Sequence, residues 1–344
     1  MSLIIHAPNV HQGGGKALLL SLLHAARKQG SVRAILDERL TLPDGLIDGI
    51  TEIRVRPSLL GRLAGEWTLR SLAKETDTVL CFGNLPPLFK AKGRVVVFLQ
   101  NRYLIDKVSL EGFSFVARMR ILIERVWLGR CVKHADKVLV QTPSMQQAAQ
   151  STLRRSVDVV SFCAYHCGYH RSGVGKNRLQ ATTYDFLYVA TGEPHKNHVN
   201  LIEAWKLLAA ERLYPSLCLT VLDRQYARLA KIIDQARTEH GLRIYNVNAH
   251  SWPEIERLYE ESGALVYPST LESFGLPLIE ARRAGLSIIA AELDYVRDMV
   301  DPEQSFDPRS PLSIARAIKR YLNAPEPPLT LVTSESFVEQ LLFV

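Results

Sequence analysis

The sequence predicts an α/β protein built from two doubly wound parallel-sheet domains. Three observations carry that reading. Short apolar runs alternate with amphipathic stretches along the chain, the pattern of repeated βα units. The 344 residues suit two domains of ordinary size, and a 47% hydrophobic content supplies two cores. The alternation lapses over Ser161–Lys176, where Gly and Ser mark a linker.

The elements follow in order. Leu3–His6 reads as a first strand, not a signal peptide, because no basic region precedes its short apolar run. Gln12–Lys16 reads as a loop and Ala17–Lys28 as a helix. Strands Val32–Leu36, Ile53–Val55 and Thr78–Cys81 come next, with a helix over Leu59–Ala73 before the last of them. Arg94–Leu99 is a strongly apolar strand. A long helix covers about Phe113–Lys133, then a strand Lys137–Val140 and a helix from Pro143 complete a domain over 1–165. Ligands of such sheets bind beyond the carboxyl ends of the strands. Two segments sit there. Gly13-Gly14-Gly15 is not a P-loop, since position 10 is Val and position 17 is Ala; nor is it a dinucleotide fingerprint, since position 18 is Leu. Gln100 and Asn101 directly follow the apolar strand and are poised at a cleft, although neither amide can act as a base. His6 and His11, near the first loop, are further candidates, with buried structural roles as the alternative.

A linker at 166–183 leads to a second domain over 184–325 and a tail helix over 326–344. Tyr184–Ala190 is a strand, Thr191–Asn197 a loop and Val199–Ala210 a helix. Lys196 and Asn197 precede that helix, and a Lys there can meet a phosphate as a point charge. Strands Leu217–Leu222 and Arg243–Val247 and a helix Pro253–Glu261 lead to the buried strand Ala264–Tyr267. Pro268 and Ser269 end it, Gly275 permits a tight path, Pro277 fits a first helical turn, and Gly285 stops the helix. That helix N-terminus suits a phosphate. Glu272 in the loop and Glu280 on the helix can accept hydrogen bonds from sugar hydroxyls. Leu286–Ala291 is a further strand and Pro311–Leu322 a helix.

Charge and cysteine usage narrow the function. Five scattered Cys imply no disulfide framework and a reducing cytosol. Cys163, His166, Cys167 and His170 match no zinc spacing, so no metal site is expected. No run of eighteen apolar residues exists to span a membrane. Residues 1–165 carry 23 Lys and Arg against 13 Asp and Glu, a balance of +10, and the remainder carries −3. The basic half favours an anionic surface or acceptor, and no recognisable nucleic-acid module accompanies it. Arg118, Arg120, Arg125, Arg130 and Lys133 stand among apolar residues, and Arg54–Arg70 is a second basic stretch. Two readings stay open there: a sheet-covering helix with a solvated basic face, or contact with anionic lipid head groups.

The string Tyr-Pro-Ser-Thr-Leu-Glu-Ser-Phe-Gly-Leu-Pro-Leu-Ile-Glu-Ala, over 267–281, resembles the donor-site motif of retaining family 4, or group 1, glycosyltransferases with the GT-B fold. The resemblance is strongest over residues 184–325 and architectural before them. It implies two Rossmann-like domains facing a central cleft, the first for the acceptor and the second for a nucleotide diphosphate sugar. It places Glu272 by the transferred sugar as the catalytic residue, Glu280 on the ribose, and the amides of Phe274, Gly275 and Leu276 on sugar and phosphates. Lys196 and Asn197 match its diphosphate segment, and Gly14 and Gly15 its first loop. The loop near Asn248–Ser251 falls beside the base, and a terminal helix crosses back onto the first domain. Two departures stand out. The family's usual Arg position, shortly before Lys196, holds a small or acidic residue, with Arg224 a substitute. Its usual His is replaced by Gln100 or Asn101 on the acceptor side. Front-face substitution, in which the departing phosphate takes the acceptor proton, needs no such base. The implied enzyme is metal-independent, without a cofactor, and in keeping with a sequence that contains no Asp-x-Asp. Its expected acceptor is a glycan or lipid-linked intermediate of bacterial lipopolysaccharide or polysaccharide assembly, and its expected place is the cytoplasm, in peripheral contact with the inner membrane. A non-catalytic GT-B binding subunit, and a GT-B nucleotide-sugar epimerase or phosphorylase, are the alternatives.

Overall fold

A computed structural model describes residues 2–27, 31–106, 108, 110, 113–162, 182–249 and 251–324. The Cys163–His170 cluster, nearly all of the 166–183 linker and the 326–344 tail lie outside the described residues.

The first domain is a seven-stranded sheet, and every pairing in it is parallel. Its strands are β1 (Leu3–Ala7), β2 (Val32–Asp37), β3 (Ile50–Val55), β4 (Thr78–Cys81), β5 (Arg94–Phe98), β6 (Lys137–Val140) and β7 (Asp158–Val159), in the order β3-β2-β1-β4-β5-β6-β7. Helices α1 (Gly13–Ala26), α2 (Leu59–Leu72), α3 (Phe115–Cys131) and α4 (Pro143–Leu153) cover it. The strand order reverses between β1 and β4, which opens a crevice beyond their carboxyl ends. Alternate residues of β1 feed opposite cores. Ile4 packs on the α2 and α3 side, while Ile5 packs with Leu18, Leu19 and Leu23 of α1.

The second domain repeats the plan. Strands β8 (Tyr184–Tyr188), β9 (Leu217–Leu219), β10 (Ile244–Asn246), β11 (Ser262–Tyr267), β12 (Ser287–Ala291) and β13 (Gln304–Phe306) form a parallel sheet in the order β10-β9-β8-β11-β12-β13. Its helices are α5 (His198–Ala210), α6 (Ala227–His240), α7 (Trp252–Glu260), α8 (Leu276–Arg283), α9 (Asp294–Arg297) and α10 (Pro311–Tyr321). β11 is buried at every position, as its unbroken apolar run requires of a central parallel strand. Trp205 of α5 is 1% exposed and donates from Nε1 to the Pro215 carbonyl at 2.9 Å, so its one polar atom is satisfied within the core.

One local expectation is corrected. Gly13-Gly14-Gly15 is the first turn of α1, not a loop. Glycine is a poor helix former, but the Leu18, Leu19 and Leu23 face seats the helix on the sheet and overrides that preference. The short edge strands β7 and β13 and the helices α6 and α9 add to the elements legible in the sequence.

Candidate active site

The two domains face each other across a cleft of about 740 Å³. It lies where both switch points meet: the ends of β1 and β5 and the start of α1 on one side, the ends of β8 and β11 and the start of α8 on the other.

The second domain supplies the charged centre. After β8 the chain makes a 3-10 turn over Pro194–Lys196. Tyr188 donates its hydroxyl to the Lys196 carbonyl at 2.6 Å, and the Thr270 amide donates to the His195 carbonyl at 2.8 Å, which pins that turn against the loop after β11. Lys196 Nζ then reaches Glu272 Oε1 at 2.6 Å, with side chains 16% and 12% exposed. Tyr267 donates its hydroxyl to the same oxygen at 3.1 Å. Burial drives the Glu272 carboxyl upward, but the Lys196 charge, His195 and hydrogen bonds from Lys196 and Ser269 outweigh it and hold the group below the usual carboxylate range. Glu272 is therefore an anion at neutral pH.

Gly275 has φ of +72°, and a Cβ there would meet Leu278 Cδ1 at 3.0 Å, so glycine alone makes the turn into α8 without strain. That turn starts α8 at the cleft, which Gly275, Leu276 and Pro277 line. Glu280 follows on the first turns of α8 and accepts from the Tyr259 hydroxyl at 2.8 Å. Among the described residues no cation shifts its titration. Burial pushes its carboxyl up to about 7, and the Tyr259 hydrogen bond offsets only part of that.

The first domain brings Gly14 and Gly15 to the opposite wall. A Cβ on Gly14 would stand 3.3 Å from Leu276 Cδ1, so the N-terminus of α1 meets that of α8 across the domain boundary. Two helix N-termini thus face one space, a favourable setting for an anion.

The structure brings Gly14, Gly15, Gln100, Asn101, Lys196, Glu272, Phe274, Gly275, Leu276 and Glu280 together around the cleft. Asn197 is set apart. It adopts φ of +61°, and its amide donates to the carbonyls of Pro268 at 3.1 Å and Pro308 at 2.7 Å, tying loops together behind the site. Gln100 donates from Nε2 to the Phe82 carbonyl, and Asn101 Oδ1 accepts from the Tyr103 amide, so both amides shape the wall. His11 lines the cleft, whereas His6 is buried with Nε2 3.7 Å from Glu66 and does not reach it. Arg224 is exposed outside the cleft, and Tyr226, two residues on, takes its place in the wall. The Tyr226 ring covers Gly192, and its hydroxyl donates to Glu193 Oε1 at 2.7 Å. Sequence reasoning missed Tyr226 and Arg102, which both belong to the lining. Among the described residues no group of three or more His, Cys, Asp or Glu is placed to hold a metal ion.

Comparison with known proteins identifies the domain around this geometry. Residues 174–333 match the family of glycosyl transferases group 1. The chain carries a group 1 glycosyltransferase domain. The serotype-specific mannosyltransferase WbdA of Escherichia coli is 23% identical over 57% of this chain. That match covers 26% of WbdA, so the chain spans about a quarter of the length of this relative. The O-antigen chain mannosyltransferase B of Escherichia coli is 28% identical over 33% of this chain and 30% of its own length. The crystal structure of Anabaena Alr3699/HepE in complex with UDP covers 94% of this chain and 90% of that one at 19% identity, with a TM-score of 0.65. The fold of the chain is GT-B: two Rossmann-like parallel-sheet domains across a cleft.

Proposed function

We propose that the protein moves a glycosyl group from a nucleoside diphosphate sugar to an acceptor hydroxyl, with retention at the anomeric carbon, in the assembly of a bacterial surface polysaccharide. The observation that carries this reading is the anionic Glu272, paired with Lys196, in a cleft that the N-termini of α1 and α8 also line. In the reaction the acceptor oxygen bonds to the anomeric carbon as the bond from that carbon to the phosphate oxygen breaks, and the acceptor proton passes to the departing phosphate. Lys196 and the N-terminal amides of α1 and α8 meet the phosphate charge, which rises as that bond breaks. Glu272 lies by the transferred sugar, and Glu280 accepts from the ribose hydroxyls. We assign these steps no metal and no resident cofactor. The mannosyltransferases to which the chain is similar support a hexosyl donor and a polysaccharide product.

We place the acceptor at an anionic bilayer. No described helix is long and apolar enough to cross a membrane. A surface contact has support of another kind. Arg62 of α2 lies over the Trp127 ring of α3 at 5.1 Å, so the two helices adjoin. Among the described residues, nine of the sixteen exposed large apolar side chains lie on this pair, including Leu60, Trp67, Phe115, Val116 and Ile123, which concentrates them on one face. The exposed charges there are Arg70, Arg118, Arg120 and Arg130, with no exposed carboxylate on either helix. Arg125 of α3 donates to the carbonyls of Tyr103 and Asp106, linking this face to the loop at the cleft. Apolar residues interleaved with positive charge fit anionic head groups.

Thermal shift against UDP-, GDP- and ADP-sugars tests the donor site. One nucleotide should raise the melting temperature of the wild type and leave Glu280→Ala unmoved; no shift with any nucleotide refutes the reading. Sedimentation with anionic and zwitterionic phospholipid vesicles tests the surface, and recovery in the supernatant with both refutes it.

A further inference from the structure

The charge balance of the cleft poses a problem for the donor just proposed. Its fixed charges are the carboxylates Glu193, Glu272 and Glu280 against the cations Lys16, Arg102 and Lys196. Lys196 is already neutralised by Glu272 at 2.6 Å. Lys16 donates from Nζ to Thr41 Oγ1 at 2.7 Å, within the first domain. His195 adds no charge at neutral pH, because burial and the neighbouring Lys196 lower its basicity. A diphosphate entering beside Glu272 therefore needs charged donors beyond Lys196.

Arg102 is placed to supply them. It belongs to the first domain, on the turn after β5, yet its Nη1 lies 3.4 Å from the Glu272 carbonyl of the second. Its Nε is ion-paired with Asp106 Oδ2 at 2.5 Å, much as Lys196 is with Glu272, so what Arg102 offers a diphosphate is its remaining N–H donors at the domain boundary rather than an unpaired charge. A guanidinium carries five N–H donors, and these two contacts leave others for a ligand. The side chain is 17% exposed, enough for a ligand to reach it.

The turn is held from several directions. Asn84 Oδ1 accepts from the Gln100 and Asn101 amides, at 2.5 and 2.8 Å. The side chain of Asn101 accepts from the Tyr103 amide at 3.0 Å. Arg125 donates to the Tyr103 and Asp106 carbonyls, and Thr152 donates to the Ile105 carbonyl at 2.7 Å. A preorganised guanidinium loses little freedom on meeting phosphate.

We infer that Arg102 is a phosphate-binding residue supplied by the acceptor-side domain, gripping the donor diphosphate together with Lys196 of the other domain. The inference rests on the nucleoside diphosphate sugar reading above. Bound between Arg102 and Lys196, the diphosphate also joins the two domains and completes the site on arrival.

The test is isothermal titration of UDP and GDP, with uridine and guanosine by displacement, into wild type, Arg102→Ala, Arg102→Lys and Lys196→Ala. In Arg102→Ala the affinity for the preferred diphosphate should fall about tenfold or more, the scale of a lost charged hydrogen bond, while the matching nucleoside keeps its affinity. Arg102→Lys should recover part of that loss. An unchanged diphosphate affinity in Arg102→Ala overturns the inference, and if Lys196→Ala weakens binding in the same series the donor site itself stands. Equal losses for nucleoside and diphosphate give Arg102 a structural role and also overturn it. A wild type that binds neither of these diphosphates, nor ADP titrated in the same way, overturns the donor reading and this inference with it.

Discussion

Replacing Glu280 with Gln should stabilise the ligand-free protein while impairing its nucleotide site. Glu280 titrates near 7 because burial outweighs its hydrogen bond from Tyr259. In the unfolded chain the same carboxyl ionises near 4.5. Between those values the folded state holds the extra proton, so stability falls as pH rises from about 4.5 to about 7 and then levels off. At about 1.4 kcal/mol per pKa unit, the ionised carboxylate costs the fold roughly 3 kcal/mol at pH 8, an upper figure once local water relaxes around it. Gln has the same shape, and its Oε1 can accept from the Tyr259 hydroxyl, which now reaches Oε2 at 2.8 Å. It carries no charge to bury. The melting temperature of Glu280→Gln should exceed that of wild type by several degrees at pH 8, taking roughly 2–4 °C per kcal/mol for domains of this size. At pH 4.5 the two should melt together. Scanning calorimetry of both proteins at the two pH values checks this. A variant that melts lower than wild type at pH 8, or differs equally at both pH values, would refute the claim that the wild-type site stores an uncompensated charge.

Three further outcomes follow from the same site. Nucleotide affinity of the wild type should weaken as pH falls from 8 through about 7, because protonating Glu280 removes an acceptor for ribose hydroxyls; titration calorimetry across that range checks it, and a flat profile counts against the assigned role. Lys196→Met should abolish transfer and destabilise the fold by about 3 kcal/mol at pH 7, since it leaves Glu272 buried and unpaired, and Lys196→Met with Glu272→Gln should recover most of that stability by urea denaturation. In Gly192→Ala the new Cβ would stand 2.4 Å from Tyr226 Cγ, so the ring must leave the cleft wall; we expect a loss of about 1–3 kcal/mol in stability and weaker nucleotide binding, measured by denaturation and titration.

How much was legible in advance depended on whether the determining contacts were local. The strand–loop–helix around Glu272 and Glu280 could be read because its determinants are contiguous: a buried strand, a glycine at positive φ, a proline in the first helical turn. The parallel sheets could be read from alternation, except where a strand was too short to show one. β7 has two residues and β13 three; β9 and β10, also of three, fall within the longer stretches Leu217–Leu222 and Arg243–Val247 that read as strands. Asn197 was misplaced for a related reason. Adjacency to Lys196 suggested a shared direction, but a left-handed backbone at Asn197 turns its side chain toward Pro268 and Pro308. His6 stands close to the first glycines in sequence, yet strand alternation sends it to the face of Ile4, beneath α2.

Arg102 marks the limit of local reading. Its position just after the apolar strand Arg94–Leu99 puts it at the cleft with Gln100 and Asn101, but its contact with the second domain, the Glu272 carbonyl 170 positions further along the chain, has no local signal. Its importance arises only when two independently folded sheets present their switch points to one another. A sequence pattern can place each half of such a site at the carboxyl end of its own sheet. Which side chain of one half reaches which loop of the other is set by the packing of the two domains, and Gly14 against Leu276 and Arg102 against the Glu272 backbone carbonyl are two points at which that packing is made. An arginine that serves the donor from the acceptor's side is therefore found by asking which donors of one domain reach the loops of the other.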